Sequence, residues 1–447
     1  MSKRFALLLL AASFHVASAW AGAVLQSFTV TTAAAPPSSG VFASIGPQAG
    51  RSIGAGVTWP VSINLALLGS QPSSVTLNFP DRPYVTLSRV RSQPLSNGSF
   101  TWTGRGPGCS VVFNAWTTGF SGTISCTYGN YGIDSVPGAS SLILTRYDQS
   151  GASSQIAWEP TPSAPPPMIP LAPQAPTSPG DPPDTAIDIL VLYTEGVRQH
   201  FDPSGGKTST VQHMLSYVTG TQHAMDNSTI TNHPTIATVN MVAAKRVSRP
   251  DSGSLVADRT WVVTDSEPMG LRKFWKADVV VYVTENGGTD YFGLAWEPSS
   301  EGLDAPGPGY APFAAATVLR SHAMNDESNA NPQQPFVFPH EFAHTLGANH
   351  EVGNGSNPAT PVESWAYGHW APNAEGGNRT IMSYLVPGCT LPCVRILNYS
   401  NAGVQVDWFR TGVAGQKENA RTIQDFASTT AQYFSNYSRI FADDFEF

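Results

Sequence analysis

The sequence predicts two structured parts: an all-β amino-terminal domain, and an α+β or α/β domain with a mixed, mostly parallel sheet plus helices. Two observations support this prediction. Proline is so frequent in residues 159–184 that this stretch has the composition of an extended linker. Hydrophobic residues also follow different patterns on its two sides, with period-two alternation before it and alternating strand-like and helix-like runs after it.

The amino-terminal part, residues 24–158, contains short alternating runs separated by Gly, Pro, Asn and Ser. This spacing of strands and turns indicates an antiparallel sandwich or barrel. No catalytic cluster of side chains is recognisable in it. The predicted strands are Val75–Phe79, Tyr84–Val90, Ser99–Thr103, Ser110–Phe113, Gly122–Tyr128 and Ser141–Tyr147.

The carboxy-terminal part, residues 185–447, mixes strands with helices. Ile187–Tyr193 is an apolar run of buried-strand length, and apolar residues then recur at helical spacing between positions 211 and 225. Two further strands, Ile236–Val247 and Ala277–Thr284, flank a helical stretch at Met269–Trp275. Alternating strands and helices are typical of a mostly parallel sheet.

The first 23 residues have the order of a secretory signal peptide. Lys3 and Arg4 precede the apolar run Phe5–Phe14, and small residues follow. This run is too short for a membrane helix, so we expect a secreted chain with no membrane partner. The net charge of -8 and the lack of Lys/Arg clusters argue against binding to nucleic acid. We further expect a monomer.

The four cysteines form two close pairs in the sequence, Cys109 with Cys126 and Cys389 with Cys393. Three disulfide pairings are formally possible. Pairing between sequence neighbours is favoured, because each bridge then stays within one part of an exported chain. Zinc binding by cysteine is the weaker interpretation, since neither pair has a suitable partner pair nearby.

The segment at residues 336–351, FVFPHEFAHTLGANHE, contains the candidate metal-ligating and catalytic residues. His340 and His344 are four residues apart, so on a helix both imidazoles leave the same face and can reach one cation. Glu341 stands beside them, where it can accept a proton from water. Pro339 is compatible with a helix that begins near Pro335 or Phe336, because first-turn amides need no helical partner.

A third ligand follows the predicted end of this helix. Gly347 can adopt the left-handed conformation that reverses the chain, and the reversal brings His350 back toward the first two histidines. Three histidines leave one coordination position open, as catalytic zinc sites do. The sequence therefore predicts one catalytic zinc ion, held by these three imidazoles, with a glutamate general base. Nothing in the sequence supports a calcium site.

The pattern HExxHxxGxxH, followed by TIMSY at residues 380–384, resembles the metzincin clan of zinc metallopeptidases. The likeness is greatest to bacterial reprolysin-type enzymes. Glu351 and Tyr384 depart from that type and resemble astacins and serralysins instead. The stretches that support the resemblance are DILVLYT (188–194), ADVVVYVT (277–284), FGLAW (292–296), RTIMSY (379–384), ENAR (418–421) and, in a propeptide-like region, VTLNFPDRPYVTLSRV (75–90) and SFTWTGR (99–105).

The resemblance implies a metalloendopeptidase acting on proteins or peptides. Met382 would form an apolar floor beneath the imidazoles, and Tyr384 would either contact zinc or the oxyanion or simply pack. An exposed edge strand would pair with the substrate, and Phe313–Leu319 is the candidate. Residues 24–158 would be a propeptide that blocks the cleft until the linker is cut, with Gly180–Asp181 as a possible aspartate switch.

Two other functions stay open at this point. The chain could be an adhesion or binding protein with a structural or degenerate zinc site, although such a site would need a fourth protein ligand. It could also be a thermolysin-like peptidase with Glu363 as a ligand, although His350 already fills the third position. His369 is a candidate for supporting the site from outside the ligand set.

Overall fold

Every residue described here belongs to one compact unit, Ser38–Phe447. The expected signal peptide, the linker, Gly180–Asp181 and the end of the carboxy-terminal tail lie outside the described residues. The computed structural model describes residues 40–46, 50–52, 56–95, 98–135, 142–147, 186–229, 235–288, 291–299, 302–324, 335–352, 361–371, 377–384, 388–389 and 393–434.

The amino-terminal part forms one ten-stranded antiparallel sheet, which we call the N-terminal sheet. The strand order is β1-β3-β10-β9-β8-β7-β6-β5-β4, and β2 pairs with β3. The only described helix in this part is the short α1, Leu65–Gly69. The strands are β1 Phe42–Ile45, β2 Gly50–Ser52, β3 Gly56–Ile63, β4 Ser74–Leu77, β5 Val85–Pro94, β6 Phe100–Gly106, β7 Cys109–Trp116, β8 Gly119–Cys126, β9 Gly129–Ser135 and β10 Leu142–Arg146.

Six of these strands correspond to runs predicted from the sequence, whereas β1, β2, β3 and β9 were missed. The case of β9 has a local reason. Two glycines and an aspartate in GNYGIDS hide its alternation, and the strand is held by its neighbours β8 and β10. Two-residue turns connect β6 to β9 as a meander. Cys109 and Cys126 stand opposite each other on β7 and β8 and form a disulfide.

The carboxy-terminal part contains a five-stranded sheet in the order β12-β11-β13-β15-β14. The first four strands are parallel, and β14 is antiparallel to β15, in agreement with the predicted mostly parallel sheet. Its elements are β11 Ala186–Tyr193, α2 Glu195–Phe201, α3 Thr208–Asn227, β12 Thr238–Arg246, α4 Leu255–Thr264, α5 Ser266–Trp275, β13 Val279–Thr284, β14 Gly293–Ala295, β15 Ala315–Leu319, α6 Val337–His344 and α7 Asn419–Thr430.

The helical stretch predicted between β12 and β13 is a pair of helices. Ser254 caps α4, and its side chain accepts from the amide of Ala257. Asp265 ends α4 and caps α5, because its carboxylate accepts from the amide of Glu267. Four short strands complete the part: β16 Asn378–Arg379 with β17 Val394–Arg395, and β18 Gln405–Val406 with β19 Phe409–Arg410.

The prediction that Phe313–Leu319 is an edge strand is wrong. Residues 311–313 form a turn of 3₁₀-helix, and β15 begins at Ala315. β15 lies between β13 and β14, so its two edges are both paired. The strand at this end of the sheet is β14, Gly293–Ala295, whose three residues are too few to give a periodic signal. Among the described residues, no helix is long and apolar enough to cross a membrane.

Candidate metal centre

Helix α6 places the first two histidines. It begins at Val337, directly after Phe336, whose φ of 66° lies in the left-handed region and turns the chain into the helix. Pro339 stands in the first turn, where its missing N–H costs no helical hydrogen bond. The hydroxyl of Tyr399 donates to the carbonyl of Pro339 at 2.8 Å and fixes this turn. The predicted helix start was therefore accurate to within two residues.

The chain reverses at Gly347, which has a φ of 83°. The amide of Ala348 donates to the carbonyl of Ala343 at 3.1 Å and closes the end of the helix. A Cβ atom at position 347 would collide with the side chain of Val362, so glycine is required by packing as well as by φ. This reversal returns His350 to the face that carries His340 and His344.

The three histidines converge through their Nε2 atoms. His340 and His350 are 3.0 Å apart at Nε2, His344 and His350 are 3.0 Å apart, and His340 and His344 are 3.1 Å apart. Nitrogen ligands at about 2.0–2.1 Å from one tetrahedral zinc ion are separated by about 3.4 Å. All three side chains are buried, and together they form a group that could hold a metal ion.

Backbone carbonyls fix the orientation of two of the rings. His340 Nδ1 lies 2.9 Å from the carbonyl oxygen of Ile381, and His344 Nδ1 lies 2.8 Å from that of Ala348. Each Nδ1–H can therefore donate, which leaves the Nε2 lone pair for a metal. Burial lowers the pKa of His340 well below its usual value, and nearby His344 and Arg395 lower this pKa further. The imidazole is thus kept in the neutral form that binds metal.

A carboxylate that the sequence did not single out also approaches His344. Oε1 of Glu297 lies 2.6 Å from Nδ1 of His344, and only 9% of Glu297 is exposed. Two hydrogen bonds fix Trp296, the residue before this glutamate. The hydroxyl of Tyr310 donates to the Trp296 carbonyl, and the indole N–H of Trp296 donates to the carbonyl of Arg259. Because the Nδ1–H of His344 donates to the Ala348 carbonyl, the Glu297 carboxylate acts on the ring through its negative charge, which raises the basicity of the ligand.

Glu341 lies beside the convergent nitrogens without joining them. Its Oε1 is 4.0 Å from His340 Nε2, and 3% of the residue is exposed. Its side chain lies directly against Gly293, the first residue of β14. A Cβ atom there would collide with Glu341 Cγ and Oε1, and with Val337. The edge strand β14 and the Glu341 carboxylate therefore lie in contact on the same side of the site.

The methionine turn, which we define as the TIMSY stretch at residues 380–384, lies against the same group. Met382 is fully buried, and the residue before it, Ile381, supplies the carbonyl that orients His340. The Tyr384 ring is 4.4 Å from the His350 ring, centre to centre. The amide of Tyr384 donates to Oε2 of Glu351 at 2.9 Å. Glu351 thus ties the turn to the residue that follows the third histidine.

Two fully buried arginines support the turn, and sequence reasoning missed both. Arg379 and Arg395 donate to the carbonyl of Ser383 at 2.6 Å and 3.1 Å. Arg395 also donates to the carbonyl of Pro335, just before α6. Burial lowers the pKa of Arg395 to about 10, and Glu351 is among the groups that oppose this shift. Long-range pairing places these side chains, so no local pattern could have revealed them.

Asn419, at the start of α7, holds the chain next to His350. Its side chain donates to the carbonyl of Asn349 and accepts from the amide of Asn349, at 2.8 Å and 3.1 Å. The side chain of Asn349 in turn accepts from the amide of His350 at 2.8 Å. The ENAR stretch was noted in the sequence without a role, and this contact explains the presence of its asparagine.

The remaining predicted residues lie around this centre. Cys389 and Cys393 form a disulfide that packs against Trp370. His369 stacks on Phe409, 5.7 Å between ring centres, and its amide donates to Oγ1 of Thr380 at 3.0 Å, at the start of the methionine turn. Glu363 is partly exposed and does not belong to the histidine group.

The sequence also matches a family model and a known protein. Residues 184–391 match the Reprolysin_5 family model, described as metallo-peptidase family M12. A 99-residue stretch is 28% identical to "Peptidyl-Asp metalloendopeptidase" of Stenotrophomonas maltophilia (strain R551-3), and it covers 22% of each chain. The alignment thus spans about a fifth of that relative.

Two solved structures are also similar. The first, described as metalloproteinase-II from Bacteroides fragilis, has a TM-score of 0.41 and 13% identity, covering 78% of this chain and 93% of that one. The second, described as a chaperone-substrate complex, has a TM-score of 0.41 and 17% identity, covering 57% of this chain and 36% of that one.

Proposed function

Residues 184–391 match a reprolysin-like metallopeptidase family model. On this premise, we propose that the chain uses one bound zinc ion to hydrolyse peptide bonds in protein substrates. The observation that carries this proposal is the convergence of three buried Nε2 atoms within 3.1 Å of one another, with Glu341 beside them. Three neutral imidazoles match the donor set of a catalytic zinc site that leaves one position open.

A zinc ion held by His340, His344 and His350 would supply Lewis acidity, which lowers the pKa of water to about 7 and polarises a carbonyl. Glu341 is the general base, because its Oε1 lies beside the ligands without being one. It accepts the proton of the attacking water and delivers it to the leaving amine. Burial of Glu341 excludes competing solvent from this transfer.

Tyr384 is a candidate for contacting the developing oxyanion. Its ring lies 4.4 Å from that of His350 and 5.9 Å from that of His340, so it borders the ligand group. A phenolic O–H can donate to an oxygen that gains negative charge in the transition state. The hydrogen bond from the Tyr384 amide to Glu351 holds the backbone from which the tyrosine side chain projects.

The substrate would bind as an added strand along β14. This three-residue strand stands at the end of the five-stranded order, and its first residue lies against Glu341. Strand addition suits an extended peptide, because main-chain hydrogen bonds give affinity independently of side chains. The scissile carbonyl of such a peptide would pass next to the general base.

We further propose a preference for bonds next to aspartate. The relative from Stenotrophomonas maltophilia carries that preference in its name. In this chain, Arg379 and Arg395 are buried positive charges that donate to the Ser383 carbonyl of the methionine turn, and the charge of Arg395 lowers the pKa of His340. The test compares two peptides that differ only by Asp or Asn beside the scissile bond. We expect at least about 10-fold faster cleavage of the Asp peptide, and equal rates would refute the preference.

Export and a zymogen arrangement belong to the same proposal. Two disulfides suit an oxidising compartment. The uncut chain would be the latent form of the propeptide arrangement, and a cut within residues 159–184 would activate it. Mass analysis of the exported protein would identify its first residue, and a chain that keeps residues 1–23 would contradict the export signal.

Casein hydrolysis decides between a peptidase and a binding protein with a structural zinc site. We expect chelator to abolish activity and zinc to restore it. Glu341→Ala should retain the metal and lose activity by about 10²–10⁴-fold, since it removes the proton carrier alone. The matched control Glu363→Ala should keep its activity and its metal. Retained hydrolysis in Glu341→Ala, or loss of metal from Glu363→Ala, would overturn the assignment.

A further inference from the structure

The N-terminal sheet contacts the catalytic part through an ion pair that is buried on the side of the catalytic part. The guanidinium of Arg91, on β5, donates to both oxygens of Asp226, near the end of α3, at 2.5 Å and 3.0 Å. The Asp226 side chain is fully buried, whereas that of Arg91 is 44% exposed. Arg105, on β6, also reaches the carbonyl of Asp226 at 3.4 Å. If the N-terminal sheet dissociated, Arg91 and Asp226 would each lose a charged partner.

Helix α3 is buried on nearly every side. A helix with this burial needs neighbours all round, and α3 packs against α6 on one side and against β6, β7 and β8 on another. Trp116 of β7 lies edge-on to His213, 5.4 Å between centres, and His213 stacks on Phe201. Val112 of β7 belongs to the core of the catalytic part rather than to that of the sheet.

A second set of contacts reaches strand β17 and the residues that follow it. The side chain of Asn130 donates to the carbonyl of Arg395 at 2.9 Å, and the amide of Leu397 donates to Ser125 Oγ at 3.0 Å. The hydroxyl of Thr127 donates to Asp407 at 2.9 Å. Strand β17 is therefore held by β9, and residues that follow β17 are held by β8 and by the turn between β8 and β9.

Strand β17 connects this surface to the metal centre. The guanidinium of Arg395 donates to the carbonyls of Ser383, in the methionine turn, and Pro335, at the entrance to α6. The backbone carbonyl of the same residue accepts from Asn130 of the sheet. The main chain of Arg395 is thus bound by the N-terminal sheet, and its side chain binds the methionine turn.

We propose that α3 and β17 form a docking surface on which the N-terminal sheet stays bound after the chain is cut between the two parts, and that the bound sheet holds the methionine turn in its working position. The sheet is then a permanent partner of the active peptidase. A cut within residues 159–184 then leaves the sheet in place on the peptidase. The part of this proposal that concerns activity rests on the proposed function.

The test uses the full chain with a site-specific protease sequence inserted within residues 159–184. After cutting, the two fragments should elute together from a sizing column in a one-to-one ratio. Arg91→Glu should weaken their association at least about 100-fold, because it places two carboxylates together at a buried site. Arg89→Glu is the matched control, since Arg89 lies two residues away on β5 and bonds to Gln71 within the sheet.

A charge swap guards against simple misfolding. Arg91→Glu combined with Asp226→Arg should restore at least part of the lost affinity, whereas two unfolded variants would not rescue each other. Fragments of the unsubstituted chain that separate on cutting would refute the docking surface. A swap variant that binds no better than Arg91→Glu alone would refute the role of this ion pair.

Casein hydrolysis provides a second test of the proposal. The cut protein with its sheet bound should hydrolyse casein, and the stripped catalytic fragment should lose at least about 10-fold of that activity and release zinc faster to a chelator. A stripped fragment that is more active than the bound form would overturn the proposal and make the sheet itself an inhibitor. If no form hydrolyses casein in a zinc-dependent manner, the proposed function fails, while co-elution still decides the docking surface.

Discussion

The main-chain amide of Tyr384 donates a 2.9 Å hydrogen bond to the carboxylate of Glu351, and this bond joins the methionine turn to the segment that carries the third histidine. Glu351 is 2% exposed, and its charge acts on two buried arginines, Arg379 and Arg395. The glutamate is therefore part of the support of the site, which gives a physical reason for its position after His350.

Glu351→Gln should destabilise the protein by about 2–3 kcal/mol, because it removes a charged acceptor and a counter-charge from a buried site. Denaturant unfolding at pH 7 measures the change. Glu363→Gln, at a partly exposed carboxylate, serves as the control and should leave the free energy of unfolding within about 0.5 kcal/mol of the original. Equal stability of the two variants would contradict the supporting role of Glu351.

The sequence predicted the ligand set because local geometry determines it. His340 and His344 are one helical turn apart, and Gly347 needs its left-handed φ only three residues later. The strands with clear alternation were found for the same reason. Glu297, Arg379, Arg395 and Asn419 were missed because each makes a tertiary contact with a residue 12 or more positions away. The edge strand was misplaced because β14 contains only three residues.

Glu297→Gln should weaken zinc binding by about 10-fold, because the carboxylate lies 2.6 Å from Nδ1 of the ligand His344. Competition with a coloured chelator measures the affinity independently of catalysis. Glu267→Gln is a suitable control, since Glu267 accepts from Ser248 on the surface of the protein. Zinc affinity that is the same in both variants would show that the Ala348 carbonyl alone orients His344.

Tyr384→Phe tests the proposed contact with the oxyanion. Removing one hydroxyl that donates to a transition-state oxygen should lower kcat by about 10²-fold and leave KM within about two-fold. Zinc affinity and the free energy of unfolding should change little, because the bond to Glu351 uses the backbone amide of Tyr384. Unchanged turnover would assign the ring to packing against His350 only.

Gly293→Ala tests the boundary between β14 and the general base. A Cβ atom at this position would collide with Cγ and Oε1 of Glu341, so the carboxylate must move. A displacement of about 1 Å at a reacting group costs about 10²-fold in rate. We expect kcat to fall by this order while zinc content stays at one ion per chain. Gly270→Ala is the control, because a Cβ there meets no atom within 4 Å.

His223, at the contact between the N-terminal sheet and α3, makes the stability of the protein dependent on pH. This fully buried histidine lies among Asp226 on its own helix and Arg105 and Arg91 on the sheet, next to the backbone of Gly104. Burial lowers its pKa to about 4. Since the unfolded chain has a histidine pKa of about 6.5, it binds the proton first, and stability is lost as pH falls from about 6.5 to 4.

The loss attributable to His223 should approach about 3 kcal/mol at pH 4, relative to pH 8. Urea unfolding of the original chain and of His223→Gln, at several pH values in this range, isolates the effect as a difference between the two proteins. His369, whose pKa is also lowered to about 4 by burial, is present in both and cancels. A difference that stays constant from pH 8 to pH 4 would show that His223 is protonated equally in the folded and unfolded chains.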